Sequence, residues 1–168
     1  MSYYSFIPVV FLLVTYTTAT GQNNDLSVTL AQKVLQANKT GKTFSYNLSK
    51  TRAEENVAYY RYLGKIKSKP APYKILTVKR VWGPNHHTTG MILLFDQMER
   101  YIGKYILGDG TDLPQKVKGN ALIFTNQLKT SCDPDLVTHI SFRDSIPSEI
   151  FLKCKGNYGD LYKFIQNK

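Results

Sequence analysis

The pattern that most constrains the fold is an alternation of apolar and polar residues that begins near residue 44 and recurs along the chain. Phe44, Tyr46 and Leu48 alternate with Thr43, Ser45 and Asn47, and a period of two is typical of a half-buried β-strand. Similar segments follow at near-regular spacing, with turn residues between them. No helical segment separates them, although parallel strands would need such crossovers. The sequence therefore predicts an antiparallel sheet, either closed as a barrel or stacked as a sandwich.

The pattern predicts one helix followed by eight strands. The helix is expected over Asp25 to Ala37, where Leu26, Leu30, Val34 and Ala37 form one apolar stripe. A short C-terminal helix is possible around Asp160 to Gln166, because Leu161, Phe164 and Ile165 offer an apolar side. The eight strands are expected over residues 43–51, 56–63, 73–82, 88–96, 100–107, 120–128, 136–142 and 149–154.

The first 21 residues predict a secretory signal peptide. Phe6 to Val14 is an uncharged apolar run, and small residues follow at Ala19 and Gly21. The run is too short to span a bilayer stably, although an uncleaved anchor is the alternative. Cleavage before Gln22 would leave 147 of the 168 residues (168 minus 21), which is enough for one domain, residues 22–168. The mature protein is therefore expected to be secreted and extracellular.

Two cysteines and two glycosylation motifs agree with export. Cys132 and Cys154 are an even pair that is expected to form one disulfide, closing a loop of about 22 residues. Asn38 and Asn47 each begin an Asn-x-Ser/Thr motif, and both are candidate glycosylation sites. The formal net charge of +10 falls entirely on residues 22–168. Outside a cell, such a charge favours sulfated glycans, anionic lipids, small anions or acidic proteins over nucleic acid.

The residues that could carry catalysis are few. His86 and His87 lie in a predicted turn and His139 in a predicted strand, so they do not form a plausible metal site. No nucleophile elbow, zinc-protease motif or phosphate-binding glycine loop is present in the sequence. The sequence therefore indicates a protein that is not an enzyme and that uses no metal or cofactor.

Binding residues are more numerous, because large amphipathic rings recur on successive predicted strands. In a small barrel alternate residues face inward, and about eight strands can enclose one small ligand. Arg61 and Arg80 share strand faces with apolar residues, where a guanidinium needs a carboxylate, solvent or an anionic ligand. Core packing of the rings and a solvated position for the arginines are the alternatives. The candidate ligand-binding residues are Tyr46, Tyr59, Arg61, Arg80, Trp82, Tyr105 and Phe124.

The order of these segments resembles the divergent salivary lipocalins of ticks. A short helix, Asp25 to Ala37, precedes the first strand, Thr43 to Thr51, and a basic, tyrosine-rich region follows. A late strand runs into Ser131-Cys132-Asp133, and Cys154 comes later, as in the C-terminal half of that family. The sequence lacks the additional cysteine pair of that family and the Gly-x-Trp motif of standard lipocalins. The resemblance implies an eight-stranded, calyx-type antiparallel barrel that holds a small ligand.

Three functions remain open at this point. The leading expectation is a secreted protein that sequesters a small hydrophobic or anionic ligand, of fatty-acid or eicosanoid type, in the barrel cavity. The second is a secreted interaction or inhibitor module, cystatin-like or other, that acts on a host protein, although the cystatin Gln-x-Val-x-Gly motif is absent. The third is attachment to sulfated glycans through Lys65, Lys67, Lys69, Lys74, Lys79 and Arg80.

Overall fold

The computed structural model describes residues 26–51 and 54–167, so the predicted signal peptide lies outside the described residues. The helix is α1 (Leu26–Gln36). The strands are β1 (Thr43–Asn47), β2 (Asn56–Ile66), β3 (Tyr73–Trp82), β4 (His87–Phe95), β5 (Tyr101–Leu107), β6 (Lys116–Lys118), β7 (Ala121–Thr125), β8 (Val137–Ser141), β9 (Glu149–Lys155) and β10 (Tyr158–Gln166). A single 3₁₀ turn, Gly110–Asp112, follows β5. In the described part, no helix has the length and hydropathy needed to cross a membrane.

The strands form two antiparallel sheets. The large sheet has seven strands in the order β1-β2-β3-β4-β5-β10-β9, and the small sheet has the order β6-β7-β8. Strands β1 to β5 follow each other as neighbours, because turns such as Gly83 to His86 join them directly. The antiparallel arrangement predicted from the period of two is confirmed.

Helix α1 covers one face of the large sheet. It buries Val28, Leu30, Ala31, Val34 and Leu35 against a sheet face that includes Ala58, Tyr60, Leu76, Leu93 and Phe95. The helix was expected, and Leu30 and Val34 of its predicted apolar stripe are buried. The two ends of that stripe are not part of the buried face, since Leu26 is 60% exposed and Ala37 lies beyond the helix end.

The small sheet packs against the opposite face of the large sheet. The layer between them is filled by buried side chains of both sheets, namely Leu63, Ile66, Ile75, Ile92, Leu94, Tyr105, Leu107, Leu122, Phe124, Phe142, Ile150 and Leu152. We call this set the inter-sheet core. The order from one side to the other is therefore helix, large sheet, small sheet.

The expected eight-stranded calyx is wrong. The seven-stranded sheet ends in the edge strands β1 and β9, and β6, β7 and β8 pair among themselves in a separate sheet. Closure of a barrel would require these sheets to join through ladder hydrogen bonds along both edges. The space that the calyx would have left for a ligand is instead occupied by the inter-sheet core.

The expected C-terminal helix is also wrong, because residues 158–166 form β10. This strand pairs with β9 through Leu161↔Phe151 and with β5 through Phe164↔Tyr105. Tyr162 and Phe164 pack against the inter-sheet core, whereas Leu161 and Ile165 are exposed. The apolar residues therefore follow the period of a strand, with a second apolar set on its outer face.

Candidate functional site

A cleft opens between the two sheets, beyond one end of the inter-sheet core. Its volume is about 230 Å³. The floor is formed by β1, β2 and β3, and the wall is formed by the segment from the 3₁₀ turn to Gln115 and by Leu128. The lining residues are Thr43, Tyr59, Arg61, Thr77, Lys79, Gly110, Thr111, Leu113, Pro114, Gln115 and Leu128.

Strand pairing places the polar residues of the floor in two rows. Arg61 lies between Thr43 on β1 and Thr77 on β3, and Tyr59 lies beside Lys79. Side chains directly opposite each other on one face of an antiparallel pair are about 5 Å apart at Cβ, and diagonal neighbours are about 7–8 Å apart. Arg61 and Lys79 are such diagonal neighbours, so two cations share one small area of the floor.

Hydrogen bonds orient Arg61. Its Nε donates to the carbonyl oxygen of Gly41 over 3.2 Å, and the hydroxyl of Thr77 donates to the Arg61 carbonyl oxygen over 3.3 Å. The bond to Gly41 engages one of the five N–H groups that a guanidinium carries. The remaining groups can therefore donate to a ligand.

Lys79 is held against the wall of the cleft. A Cβ placed at Gly110 would lie 2.8 Å from Lys79 Cγ, so the aliphatic stem of the lysine packs directly on the glycine backbone. A side chain at position 110 would therefore require the lysine stem to shift. The aliphatic stem of Lys79 is thus partly covered, as is common for a lysine at a half-buried position.

The acidic side chains at the 3₁₀ turn already have partners. Asp109 accepts hydrogen bonds from the Thr88 hydroxyl and from the backbone N–H of Thr111, and the bond from Thr88 is the main reason that its pKa is lowered. Asp112 is buried, pairs with Lys129 and accepts a hydrogen bond of 2.6 Å from the Tyr162 hydroxyl. In the described residues, no carboxylate lies within 4.0 Å of Arg61 or Lys79 in an ion pair.

The cleft is polar at one end and apolar at the other. Arg61, Lys79, Thr43 and Gln115 supply hydrogen-bond donors, while Leu113, Pro114 and Leu128 supply apolar surface. The lining contains no histidine, cysteine, serine or carboxylate. Among the described residues, no three His, Cys, Asp or Glu side chains are grouped so as to hold a metal ion. The arrangement suits recognition of a molecule with an anionic head and a short apolar part.

The structure brings two of the seven candidate residues, Tyr59 and Arg61, into the cleft. Tyr105 and Phe124 are buried in the inter-sheet core, where the Tyr105 hydroxyl donates to the carbonyl oxygen of Pro147 over 2.6 Å. Burial raises the pKa of Tyr105 well above its usual range. These two residues therefore serve packing, and no cavity of a barrel surrounds them.

The other three candidates lie on the face that carries the helix. Tyr46 packs edge-on against Tyr60 with ring centroids 5.4 Å apart, and Arg80 Nε donates to Asn56 Oδ1 over 2.8 Å. Trp82 is 44% exposed and contacts the His87 ring. They are on the opposite side of the sheet from Arg61 and cannot contact a ligand in the cleft.

Sequence reasoning missed Thr43, Thr77 and Gln115, and it assigned Lys79 to a glycan-binding surface instead of this site. The alternation in β3 places Lys79 and Thr77 on the face opposite Arg80, and pairing with β2 then sets them beside Tyr59 and Arg61. The alternation can be seen in the sequence, but the pairing of β2 with β3 is also needed to place these residues beside each other. Gln115 carries no comparable signal, because a loop of irregular backbone brings it to the cleft.

The predicted pairing of Cys132 with Cys154 is confirmed by disulfide geometry, with the two Cα atoms 4.5 Å apart. Asn38 is exposed just after α1 with a φ of 48°, and Asn47 is exposed at the end of β1. Both asparagines are accessible, and their glycosylation stays a prediction.

Comparison of the chain with known protein families, curated proteins and solved structures found no match. The resemblance to lipocalins therefore stays a prediction from sequence order alone. The fold and the cleft provide the basis for assigning a function.

Proposed function

We propose that the protein is a secreted, non-enzymatic binding protein that captures a small amphipathic organic anion in the inter-sheet cleft. The main support for this proposal is that Arg61 and Lys79 both lie on the floor of the cleft. No described carboxylate forms an ion pair with either side chain. Two partly buried cations repel each other, and an anionic ligand would relieve that repulsion. Arginine suits this role because its planar guanidinium group can donate two parallel hydrogen bonds to a carboxylate, sulfate or phosphate group.

The size of the cleft limits the ligand. Drug-sized ligands usually occupy pockets of about 300–1,000 Å³, and this cleft measures about 230 Å³. It therefore suits a head group with a short aliphatic or single-ring aromatic part. A long fatty acid or an eicosanoid would place its head and first carbons in the cleft and leave the rest of its chain in solvent.

The proposed location rests on two features of the chain. The pairing of Cys132 with Cys154 fits an oxidising compartment, in which disulfides form and persist. The apolar run within residues 1–21 fits a signal peptide. Secretion is tested by expressing the full chain in a eukaryotic cell and sequencing the N-terminus of the secreted product, which is expected to start at Gln22.

The binding proposal is tested by calorimetric titration of the mature chain with small carboxylates, each compared with its neutral amide. Benzoate and octanoate are suitable short probes, and a long fatty acid tests the size limit. The carboxylates are expected to bind and the amides are not. Arg61→Gln and Lys79→Gln are each expected to weaken binding about tenfold or more, because a hydrogen bond to a charged group is lost.

Matched controls separate a site from a general effect of charge. Arg80→Gln removes an arginine from the opposite sheet face, and Lys153→Gln removes an exposed lysine of β9. Both controls are expected to bind the probe as the wild type does. Equal affinity for carboxylate and amide, or equal loss in controls and cleft variants, would contradict the proposal.

A further inference from the structure

A second cationic surface is formed by residues that do not line the cleft. It combines Lys65 and Lys67 at the end of β2, Lys69 beyond that strand, Lys116 and Lys118 on β6, and Arg143 after β8. We call these six residues the lysine patch. Within residues 65–69, 116–119 and 141–144, Asp144 is the single acidic side chain.

Two backbone hydrogen bonds hold the three segments of the patch together. The N–H of Lys67 donates to the carbonyl oxygen of Gly119 over 3.0 Å, and the N–H of Lys69 donates to the carbonyl oxygen of Arg143 over 2.7 Å. The segment after β2 is therefore fastened to the β6–β7 turn and to the loop after β8. The three segments are far apart in sequence but lie next to each other in the fold.

The alternation of the strands directs three of these lysines outward. Ile66, between Lys65 and Lys67, is fully buried in the inter-sheet core, and Val117, between Lys116 and Lys118, packs against that core. Since neighbouring residues of a strand point to opposite sides, Lys65, Lys116 and Lys118 point away from this core. Lys67 follows β2 directly, and β6 lies beside β2. All four are exposed.

Most of the positive charge of the patch is not neutralised. Asp144 forms ion pairs with Lys69 at 2.7 Å and with Arg143 at 3.4 Å. No described carboxylate lies within 4.0 Å of Lys65, Lys67, Lys116 or Lys118 in an ion pair. Clustered exposed cations of this kind attract a polyanion over a distance of about 10 Å at ordinary salt concentration.

The residues of the lysine patch differ from those of the basic surface that the sequence predicts. Lys74 pairs with Glu99 at 2.5 Å, Lys79 lines the cleft, and Arg80 lies on the opposite face. None of these three therefore belongs to the patch. Lys116, Lys118 and Arg143 take their place through tertiary contacts that a sequence pattern does not show.

We infer that the lysine patch binds a sulfated glycan chain. A membrane surface fits less well, because peripheral binding needs apolar side chains that insert, and no large exposed hydrophobic residue lies in these three segments. A single-stranded nucleic acid fits less well, because sequence-independent binding of this type uses aromatic side chains for stacking, and residues 65–69 and 116–119 contain none. A flexible sulfated chain needs only the spaced cations that the patch provides.

The inference is tested by chromatography on immobilised heparin and by titration with a heparin oligosaccharide. The wild type is expected to elute clearly above physiological ionic strength, which is about 0.15 M. The quadruple variant K65S/K67S/K116S/K118S is expected to elute near that value and to bind the oligosaccharide about tenfold more weakly or worse, because several screened ion contacts are lost together.

The matched control is K33S/K39S/K153S/K155S, which removes the same charge from exposed lysines outside the patch. This control is expected to keep most of the affinity for heparin, and benzoate binding in the cleft reports that both variants are folded. Equal losses in the two variants would overturn the patch as the site. Equal binding of desulfated heparin, an oligothymidylate or phosphatidylserine vesicles would overturn the assignment to a sulfated glycan.

Discussion

Tyr105 and Tyr59 both belong to the large sheet, but their hydroxyl groups meet different surroundings. Tyr105 is fully buried and donates to the carbonyl oxygen of Pro147, which fastens β5 to the loop before β9. Tyr59 is 39% exposed and lines the cleft. The same residue type therefore contributes to stability at one position and is available to a ligand at the other.

Tyr105→Phe is expected to lower the free energy of unfolding by about 1–2 kcal/mol, because the carbonyl oxygen of the half-buried Pro147 loses its donor. Urea unfolding of the mature chain measures this change. Tyr59→Phe is the control and is expected to change stability by about 0.5 kcal/mol or less. Equal effects of the two substitutions would show that the bond to Pro147 is not a significant source of stability.

Asp109 makes a pH-dependent contribution to stability. The hydrogen bond from Thr88 lowers the pKa of Asp109 in the folded state. A carboxyl group with a depressed folded pKa stabilises the protein above its unfolded pKa, which is about 3.9, and loses that contribution as pH falls through the folded value. The stability difference between the wild type and Asp109→Asn is therefore expected to shrink below about pH 4.

Urea midpoints between neutral and strongly acidic pH measure this difference. Thr88→Val is a second variant, since it removes the hydroxyl donor and leaves the carboxylate in place. It is expected to flatten the same part of the pH profile. A difference between wild type and variants that stays constant with pH would contradict the assigned cause.

At the scale of elements, the disulfide and its neighbours connect the loop after β7 to β9. Cys132 is bonded to Cys154, and the N–H of Asp133 donates to the carbonyl oxygen of Cys154 over 2.8 Å. The Asn126 side chain donates to the carbonyl oxygen of Lys153 over 2.9 Å. These contacts hold one end of the small sheet against the edge of the large sheet.

The double variant C132S/C154S is expected to lose about 3 kcal/mol of stability, as estimated from chain entropy for a sequence separation of 22 residues. Urea unfolding measures the loss, and the reduced wild type should match the variant. Amide exchange is expected to rise first in β7 and β8. An unchanged midpoint would show that the remaining contacts hold these elements without the bond.

The elements that the sequence predicts well are long segments of β-forming residues that are bounded by turn residues. Strands β2, β3 and β4 are of this kind, and each was found close to its expected bounds. Strand β6 has three residues and is too short to show a period. In β10, Leu161 and Ile165 are spaced like one face of a helix, but pairing with β9 and β5 places them on the outer face of a strand.

The candidate site was partly predictable for a related reason. Alternation shows which residues share a face of a strand, so Tyr59 and Arg61 could be grouped correctly. Which face points toward a cleft depends on long-range packing, and the sequence therefore could not exclude Arg80 and Trp82. Only the register between β2 and β3 shows that Lys79 lies beside Tyr59.

At the scale of the whole molecule, the strands form either a calyx or two packed sheets, depending on whether the edge strands of the two sheets pair with each other. Local patterns specify eight of the strands but do not specify whether β1 and β9 remain edges. The inter-sheet core is filled, and among the described residues a space for a ligand lies at the rim, next to Arg61 and Lys79. Part of the net charge of +10 lies at the rim cleft and part lies in the lysine patch.

The most direct measurement is a ¹H–¹⁵N magnetic resonance titration of the mature chain with benzoate. The account predicts saturable shifts of the Arg61 Nε–H and of the backbone amides of Tyr59, Thr77 and Lys79, while the Arg80 Nε–H stays unchanged. Shifts centred on Arg80 and the helix-covered face, or no saturable shift at millimolar benzoate, would contradict it.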